Sequence, residues 1–399
     1  MSLCPPLAAT PTRLPSSVAL LGAAIFTVAT AEFSVAGLLD TLATDLHVRL
    51  AEVGYLVSIY AGGMIVGGPL MVVALARLPQ ARALVLVLLL FALAQLAAAF
   101  APGYGLLAVS RFVQGFAGSA TFGLALTIGG RIAGPTRQGE AAAWIMGGLM
   151  VGTVLGLPLT TWLGRVFGWR EVFVGLAVMA ALAALLVASW VRPEGQAGEP
   201  ARTQAGLGDA RLWKVFASSF LVIGATFSAF TYFVPLLGER VGIAVTWIPA
   251  CLALYGIATV VGNFVCGRWV DRHGAWRVQM WGMSVLLAAL LVFAIAVEQP
   301  LPALLALVLI GLTGVALNPA LVARVMALNG SPLAAAVHTG VISLGLLTGT
   351  ALAGMAIEHS GDLSAALWVA ALLAGLGWLS MWMAPDRQRR GGPRPPEPR

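Results

Sequence analysis

The chain has 399 residues, of which 59% are hydrophobic and only 10% charged, whereas a soluble domain carries about a quarter charged residues. This balance excludes a soluble enzyme and predicts an integral membrane protein. The formal net charge of +7 suits either a nucleic-acid partner or a membrane topology, and the placement of the basic residues decides between them.

Twelve apolar runs occur at 17–39, 52–75, 82–101, 103–130, 140–163, 168–191, 212–237, 245–267, 276–297, 301–325, 334–357 and 363–384. Each approaches the roughly 20 residues that a helix needs to cross a hydrocarbon core. None alternates as a barrel strand does, and in lipid the backbone must satisfy its own hydrogen bonds. The expected fold class is therefore an all-α membrane protein: twelve transmembrane helices in two six-helix halves, 17–191 and 212–384. A polar linker at 192–211 joins them, with a tail at 1–16 and a basic tail at 385–399.

Helix 1 carries Glu32 seven residues from its far end, flanked on its helical face by Ala29 and Ala36. A carboxylate inside a span either pairs with a cation or takes up a proton, which makes Glu32 a candidate proton-coupling residue. Helix 2 adds Tyr55, Ser58 and Tyr60. In helix 4, Arg111 is the one basic residue expected well inside a span. At about 1.5 Å per residue it lies roughly 12 Å below the same surface from which Glu32 lies roughly 10 Å. An ion pair between them would solve the solvation problem of both, either as a static lock or as a proton-controlled switch.

Helix 5 places Gly148, Gly152 and Gly156 at four-residue spacing, with Pro158 two positions on. Small residues so spaced let helix backbones approach closely, and the proline predicts a kink. In the second half, Tyr232, Asn263 and Asn318 stand on apolar runs, as candidate cavity-lining groups or as hydrogen-bond partners of a neighbouring helix. His338 suits a structural role better than a proton relay. The segment after helix 8 holds Gly267, Arg268, Asp271, Arg272, Gly274 and Arg277. It is read as a conformational latch on one face of the membrane, against the plainer reading of an ordinary basic loop. A weak internal repeat supports two related halves: Gly115-Phe-Ala-Gly118 in helix 4 matches Gly311-Leu-Thr-Gly314 in helix 10.

With the N-terminus in the cytoplasm, the inner loops and tails hold 18 Lys and Arg residues and the outer loops 4, Arg111 being counted in neither. The positive-inside rule then places both termini in the cytoplasm and leaves no call for nucleic acid as a partner. Cys4, Cys251 and Cys266 have no metal-ligand spacing, and no HExxH or paired aspartate motif occurs, so neither a metal nor a cofactor is expected. A lone lysine, Lys214, against 22 arginines suggests a GC-rich bacterial genome.

Together these residues resemble the major facilitator superfamily over nearly the whole chain. Arg111-Phe-Val-Gln114-Gly115 is similar to that family's helix 4 motif, whose arginine is implicated in proton coupling. The 148–158 run is similar to the helix 5 motif of proton-driven antiporters, and 267–277 to the family's Gly-x-x-x-Asp-Arg-x-Gly signature. Residues 32–46, 67–70 and 157–173 resemble the twelve-helix drug:proton antiporters of the arabinose and chloramphenicol efflux branch. The loop after helix 2 departs from the pattern, with Ala76-Arg77 and Pro79 where Asp-Arg and Gly are usual. Asp40 stands where that branch commonly has proline.

The resemblance implies a proton-coupled exporter of small organic molecules working by alternating access, not an enzyme, in a bacterial inner membrane and as a monomer. Its partners would be the substrate, protons and the lipid bilayer. The substrate would meet Glu32, Tyr55, Ser58, Gln114, Tyr232, Asn263 and Asn318. Export of sugars or nucleosides, or import of a nutrient, stays open at this point.

Overall fold

The computed structural model describes residues 16–75, 77–134, 137–191, 208–329 and 332–382. The expected tails, Cys4, Ala76 and most of the 192–211 linker lie outside these residues. Among the described residues, all regular structure is helical. Twelve segments are long and apolar enough to cross a membrane: Ser16–Gly37, Leu50–Gly67, Gln80–Ala99, Tyr104–Ala133, Glu140–Val166, Trp169–Trp190, Ala210–Phe230, Val245–His273, Ala275–Ile295, Pro300–Leu328, Val337–Ser360 and Ala365–Trp382. They are called helices 1 to 12 in that order.

Three boundaries differ from the sequence expectation, each for a local reason. The expected continuous run at 212–237 breaks after Phe230, continuing as a single turn at Phe233–Pro235 and a π-helical turn at Leu236–Arg240. Pro235 has no N–H for the Thr231 carbonyl. Helix 10 is interrupted after Thr313, passes through a 3₁₀ turn at Val315–Leu317 and resumes at Asn318–Leu328. There Pro319 has no N–H for the Val315 carbonyl, which accepts the Asn318 N–H in the tighter 3₁₀ pattern instead. Helix 8 runs on to His273, so Asp271 sits on its last turn rather than in a loop. Gly274, at φ +83°, ends it in a conformation that other residues rarely adopt. Pro158, expected to kink helix 5, lies within a helix assigned without interruption from Gln138 to Val166.

Glycines set how the helices meet. A Cβ at Gly148 would land on the Gly22 carbonyl of helix 1, one at Gly152 would meet Ala29, and one at Gly156 would meet Thr30. The helix 5 spacing thus serves contact with helix 1. The second half repeats the device between helices 7 and 11, where Gly345 sits on the Phe220 carbonyl and Gly349 on that of Gly224. The weak internal repeat has a physical counterpart too. Gly115 of helix 4 rests on the carbonyl of Tyr60 in helix 2, and Gly311 of helix 10 on that of Tyr255 in helix 8.

The two halves touch through helices 2 and 11 and through helices 5 and 8. In the second pairing, Gly256 of helix 8 packs on Val154, whose carbonyl has lost its helical donor to Pro158. At the face opposite the termini, the Arg165 guanidinium of helix 5 donates to the Val245 carbonyl at the start of helix 8.

Replacing Gly148 with valine is expected to cost about 1–3 kcal/mol through overpacking against helix 1. Gly147→Ala, where a Cβ meets nothing within 4 Å, is expected to be neutral. Thermal unfolding of the detergent-solubilised variants checks both, and equal melting temperatures would refute the packing role.

Candidate functional site

Arg111 is fully buried in helix 4, and a buried guanidinium needs acceptors for its five donors. Nη1 donates to the Ala31 carbonyl at 3.0 Å and to Gln114 Oε1 at 2.8 Å, and Nη2 donates to the Glu32 carbonyl at 3.2 Å. The guanidinium carbon lies 4.4 Å from the centre of the Tyr60 ring. Gln114 in turn donates to the Ala94 carbonyl of helix 3 at 3.2 Å. One cation therefore ties together helices 1, 2, 3 and 4. Gln114 is held in this network, 0% exposed, rather than lining an open space.

The level match of Glu32 and Arg111 holds, but the expected ion pair does not form here. The arginine binds the main chain at Glu32 and leaves the carboxylate alone. Glu32 is half-buried, and its carboxylate accepts no hydrogen bond from the described residues. The physical reason is geometric: adjacent carbonyls of one helix match the guanidinium fork and cannot rotate away. Next to Glu32, Phe33 stacks on Phe227 at 6.2 Å and meets Phe230 edge-on at 5.4 Å, closing helix 1 against helix 7.

Three of the expected substrate contacts occupy the seam between the halves. Tyr55 donates to Glu358 Oε2 of helix 11 at 2.8 Å, and Ser58 to the Leu347 carbonyl at 3.0 Å. The Tyr232 ring is buried between Gly54 and Gly354. Asn263 and Asn318 are half-buried on helices 8 and 10. At the termini face, Arg268, Asp271, Arg272 and Arg277 are exposed, with Gly267 half-buried beside them. Asp271 makes no ion pair among the described residues.

Sequence reasoning missed two charged residues. Arg324, counted with the inner loops, is 2% exposed and donates to Gln279 Oε1 at 2.9 Å and Ser218 Oγ at 3.4 Å, so Arg111 is not the one buried base. Nearby, His338 pairs with Ser219 Oγ at 2.9 Å and stacks on Phe216. Gln279, Ser218 and Ser219 on apolar runs were the signal available in the sequence. Glu358, one residue beyond the expected end of helix 11, binds Arg49 of the other half at 2.7 Å.

Asp40, without an account in the sequence, lies on the short helix Leu39–Leu46 that follows helix 1 and packs on the Phe233–Pro235 turn. Its Oδ1 is buried without a partner. Burial pushes its carboxyl up to about 6, the charge of Glu239 adds to the rise and Arg165 opposes it. A raised acid carries no penalty at pH values below its unfolded value near 4; the penalty grows as pH rises through 6. Asp40→Asn is therefore expected to stabilise the protein at pH 7.5, by no more than about 3 kcal/mol, and to lose that advantage toward pH 4. Melting temperatures across this range test it, and a pH-independent difference would refute it.

Comparison with known proteins places this geometry. The sequence model described as Major Facilitator Superfamily matches residues 21–332 and 253–399. The chain is 33% identical over 377 residues to the "Chloramphenicol resistance protein" of Streptomyces lividans, covering 92% of this chain and 95% of that protein. It is 29% identical to the "Inner membrane transport protein YdhP" of Escherichia coli K12, covering 91% and 94%. The "Chloramphenicol efflux pump MT0201" of Mycobacterium tuberculosis is also 29% identical, covering 92% of each. Among solved structures, a bacterial homologue of the human lysosomal transporter Spinster superposes with a TM-score of 0.73 at 16% identity, covering 94% of this chain and 98% of that one. The chain belongs to the major facilitator superfamily and is a multi-pass membrane transporter of small molecules.

Proposed function

We propose that this transporter exports small organic molecules, amphenicol-like drugs among them, in exchange for protons, from a bacterial inner membrane with both termini in the cytoplasm. The observation that carries the reading is the division of labour at one level of helices 1 and 4. Arg111 is anchored by main-chain oxygens, while the Glu32 carboxylate beside it accepts no hydrogen bond among the described residues. A carboxylate left unpaired in an apolar bundle is available to exchange a proton for a substrate. The names of the chloramphenicol resistance and efflux relatives support the direction and the substrate class.

In this mechanism the halves 17–191 and 212–384 rock about the cavity as one monomer. The described conformation is closed at the face opposite the termini, where Tyr55 and Arg49 meet Glu358 and Arg165 meets the Val245 carbonyl, and in this reading it is the state that receives substrate from the cytoplasm. An exposed Asp271 with no ion pair among the described residues fits a latch that is released in this state and engaged in the opposite one. Substrate enters from the cytoplasm and meets Glu32, Asn263 and Asn318. As the outer seam parts, Tyr55, Ser58 and Tyr232 become available to it, and a proton arriving from outside displaces it from Glu32. Gln114 acts by holding Arg111. A potential of 100 mV supplies about 2.3 kcal/mol per charge moved, enough for a gradient of roughly 40-fold.

The test is accumulation of chloramphenicol and a panel of dyes, nucleosides and sugars in an efflux-deficient bacterium. The wild-type protein is expected to lower accumulation of at least one compound, and Glu32→Gln or a protonophore to abolish that difference. Undiminished uphill export by Glu32→Gln would overturn the coupling role.

A further inference from the structure

Glu358 occupies a position that its own helix disfavours. It lies in the last turn of a helix ending at Ser360, where the macrodipole presents negative charge and an acid is locally destabilising. Its compensation comes wholly from the other half of the molecule. Oε1 faces the Arg49 guanidinium at 2.7 Å and Oε2 accepts the Tyr55 hydroxyl at 2.8 Å. Arg49 is aimed by Glu52, which accepts its backbone N–H at 2.8 Å and lies 3.5 Å from its Nε. The Glu52 carbonyl is bound in turn by the Tyr104 hydroxyl at 2.8 Å.

Beneath this ion pair the seam continues inward. Tyr232 is 0% exposed; a Cβ on Gly54 of helix 2 would collide with its hydroxyl, and one on Gly354 of helix 11 would collide with the Tyr55 ring and press on the Tyr232 hydroxyl. Deeper still, Ser58 bonds the Leu347 carbonyl. The Arg49–Glu358, Tyr55–Glu358, Ser58–Leu347 and Gly54–Tyr232 contacts each join one half to the other, so all four are lost together when that face opens.

We propose that Glu358, Arg49 and Tyr55, seated over the Tyr232 wedge, form the clasp that holds the face opposite the termini shut, with Glu358 as the positioning residue of the transport cycle. The clasp exists in one of the two states that alternating access requires, so it shifts their populations without touching the substrate. Loss of one half-exposed ion pair reinforced by a hydrogen bond, worth about 1 kcal/mol, corresponds to roughly a fivefold shift toward the open face. This inference rests on the membrane orientation and transport cycle proposed above, but not on the substrate or the proton.

The test uses the full-length protein in intact cells, with Cys4, Cys251 and Cys266 replaced by serine and a reporter introduced by Ser58→Cys. The rate of reaction with a membrane-impermeant maleimide added outside reads opening of the seam and needs neither substrate nor proton gradient. Glu358→Gln and Arg49→Glu are each expected to raise it about fivefold, and the charge exchange Arg49→Glu with Glu358→Arg to return it close to the parent rate. Gly354→Ala, which crowds the Tyr55 ring and the Tyr232 hydroxyl without altering charge, is expected to raise it as well. Unchanged rates in Glu358→Gln, or an exchanged pair as fast as the single variants, would overturn the clasp while leaving proton-coupled export standing. A failure of Glu32→Gln to affect export, with these rates shifted as expected, would overturn the coupling and keep the clasp. Labelling confined to inverted vesicles would overturn the orientation, and the clasp's assignment to the outer face with it.

Discussion

The bundle depends on glycines that let one helix backbone lie against the carbonyl oxygens of the next. Lipid tails are as apolar as leucine, so no hydrophobic force presses membrane helices together, and association rests on close packing and polar contacts. Here helix 1 meets helix 5 through Gly148, Gly152 and Gly156, and helix 7 meets helix 11 through Gly345 and Gly349. Helices 2 and 4, and helices 8 and 10, are joined by Gly115 and Gly311 on two tyrosine carbonyls. Each half is thereby a tight unit. The contact between the halves uses this device at Gly256 on Val154 and otherwise consists of aromatic rings, an ion pair and a few bonds to main chain. Rigid halves with a separable seam are what rocking requires.

Burial of Arg111 adds a second level of organisation. A guanidinium without acceptors would be prohibitively costly in this interior, and its ties to the carbonyls of residues 31 and 32 hold helix 1 at the depth of Glu32. Arg324 is treated in a comparable way in the other half, with Gln279 and Ser218 as acceptors. The two sites are not related by the internal repeat. Both supply oxygen acceptors to a cation inside an apolar bundle, mostly from main chain at Arg111 and from side chains at Arg324.

Much of this was legible in the sequence, for identifiable reasons. Helices in lipid need about 20 apolar residues, and the composition leaves no other reading. The four-residue spacing of glycines is a direct imprint of helix contact, and equal distances from one surface put Glu32 and Arg111 at one level. Legibility ended where a partner is main chain or distant in sequence. Nothing in the residue types tells that Arg111 would choose the carbonyl rather than the carboxylate of Glu32. Tyr55 and Glu358 are separated by 303 positions, and their pairing depends on how two halves close. Proline was an ambiguous sign: Pro235 and Pro319 accompany broken helices, while helix 5 continues through Pro158. Arg324 was assigned to a loop because topology reasoning counts charges near span ends as exposed.

The anchoring of Arg111 has a consequence for how such a protein changes over generations. Main-chain oxygens are present whatever side chains positions 31 and 32 carry, so the arginine's principal ties survive substitution there. Side chains at the level of Glu32 can then vary while the scaffold that supports them keeps its shape. A lineage built this way can change the molecules it carries by single amino-acid replacements, with little loss of folded protein along the route.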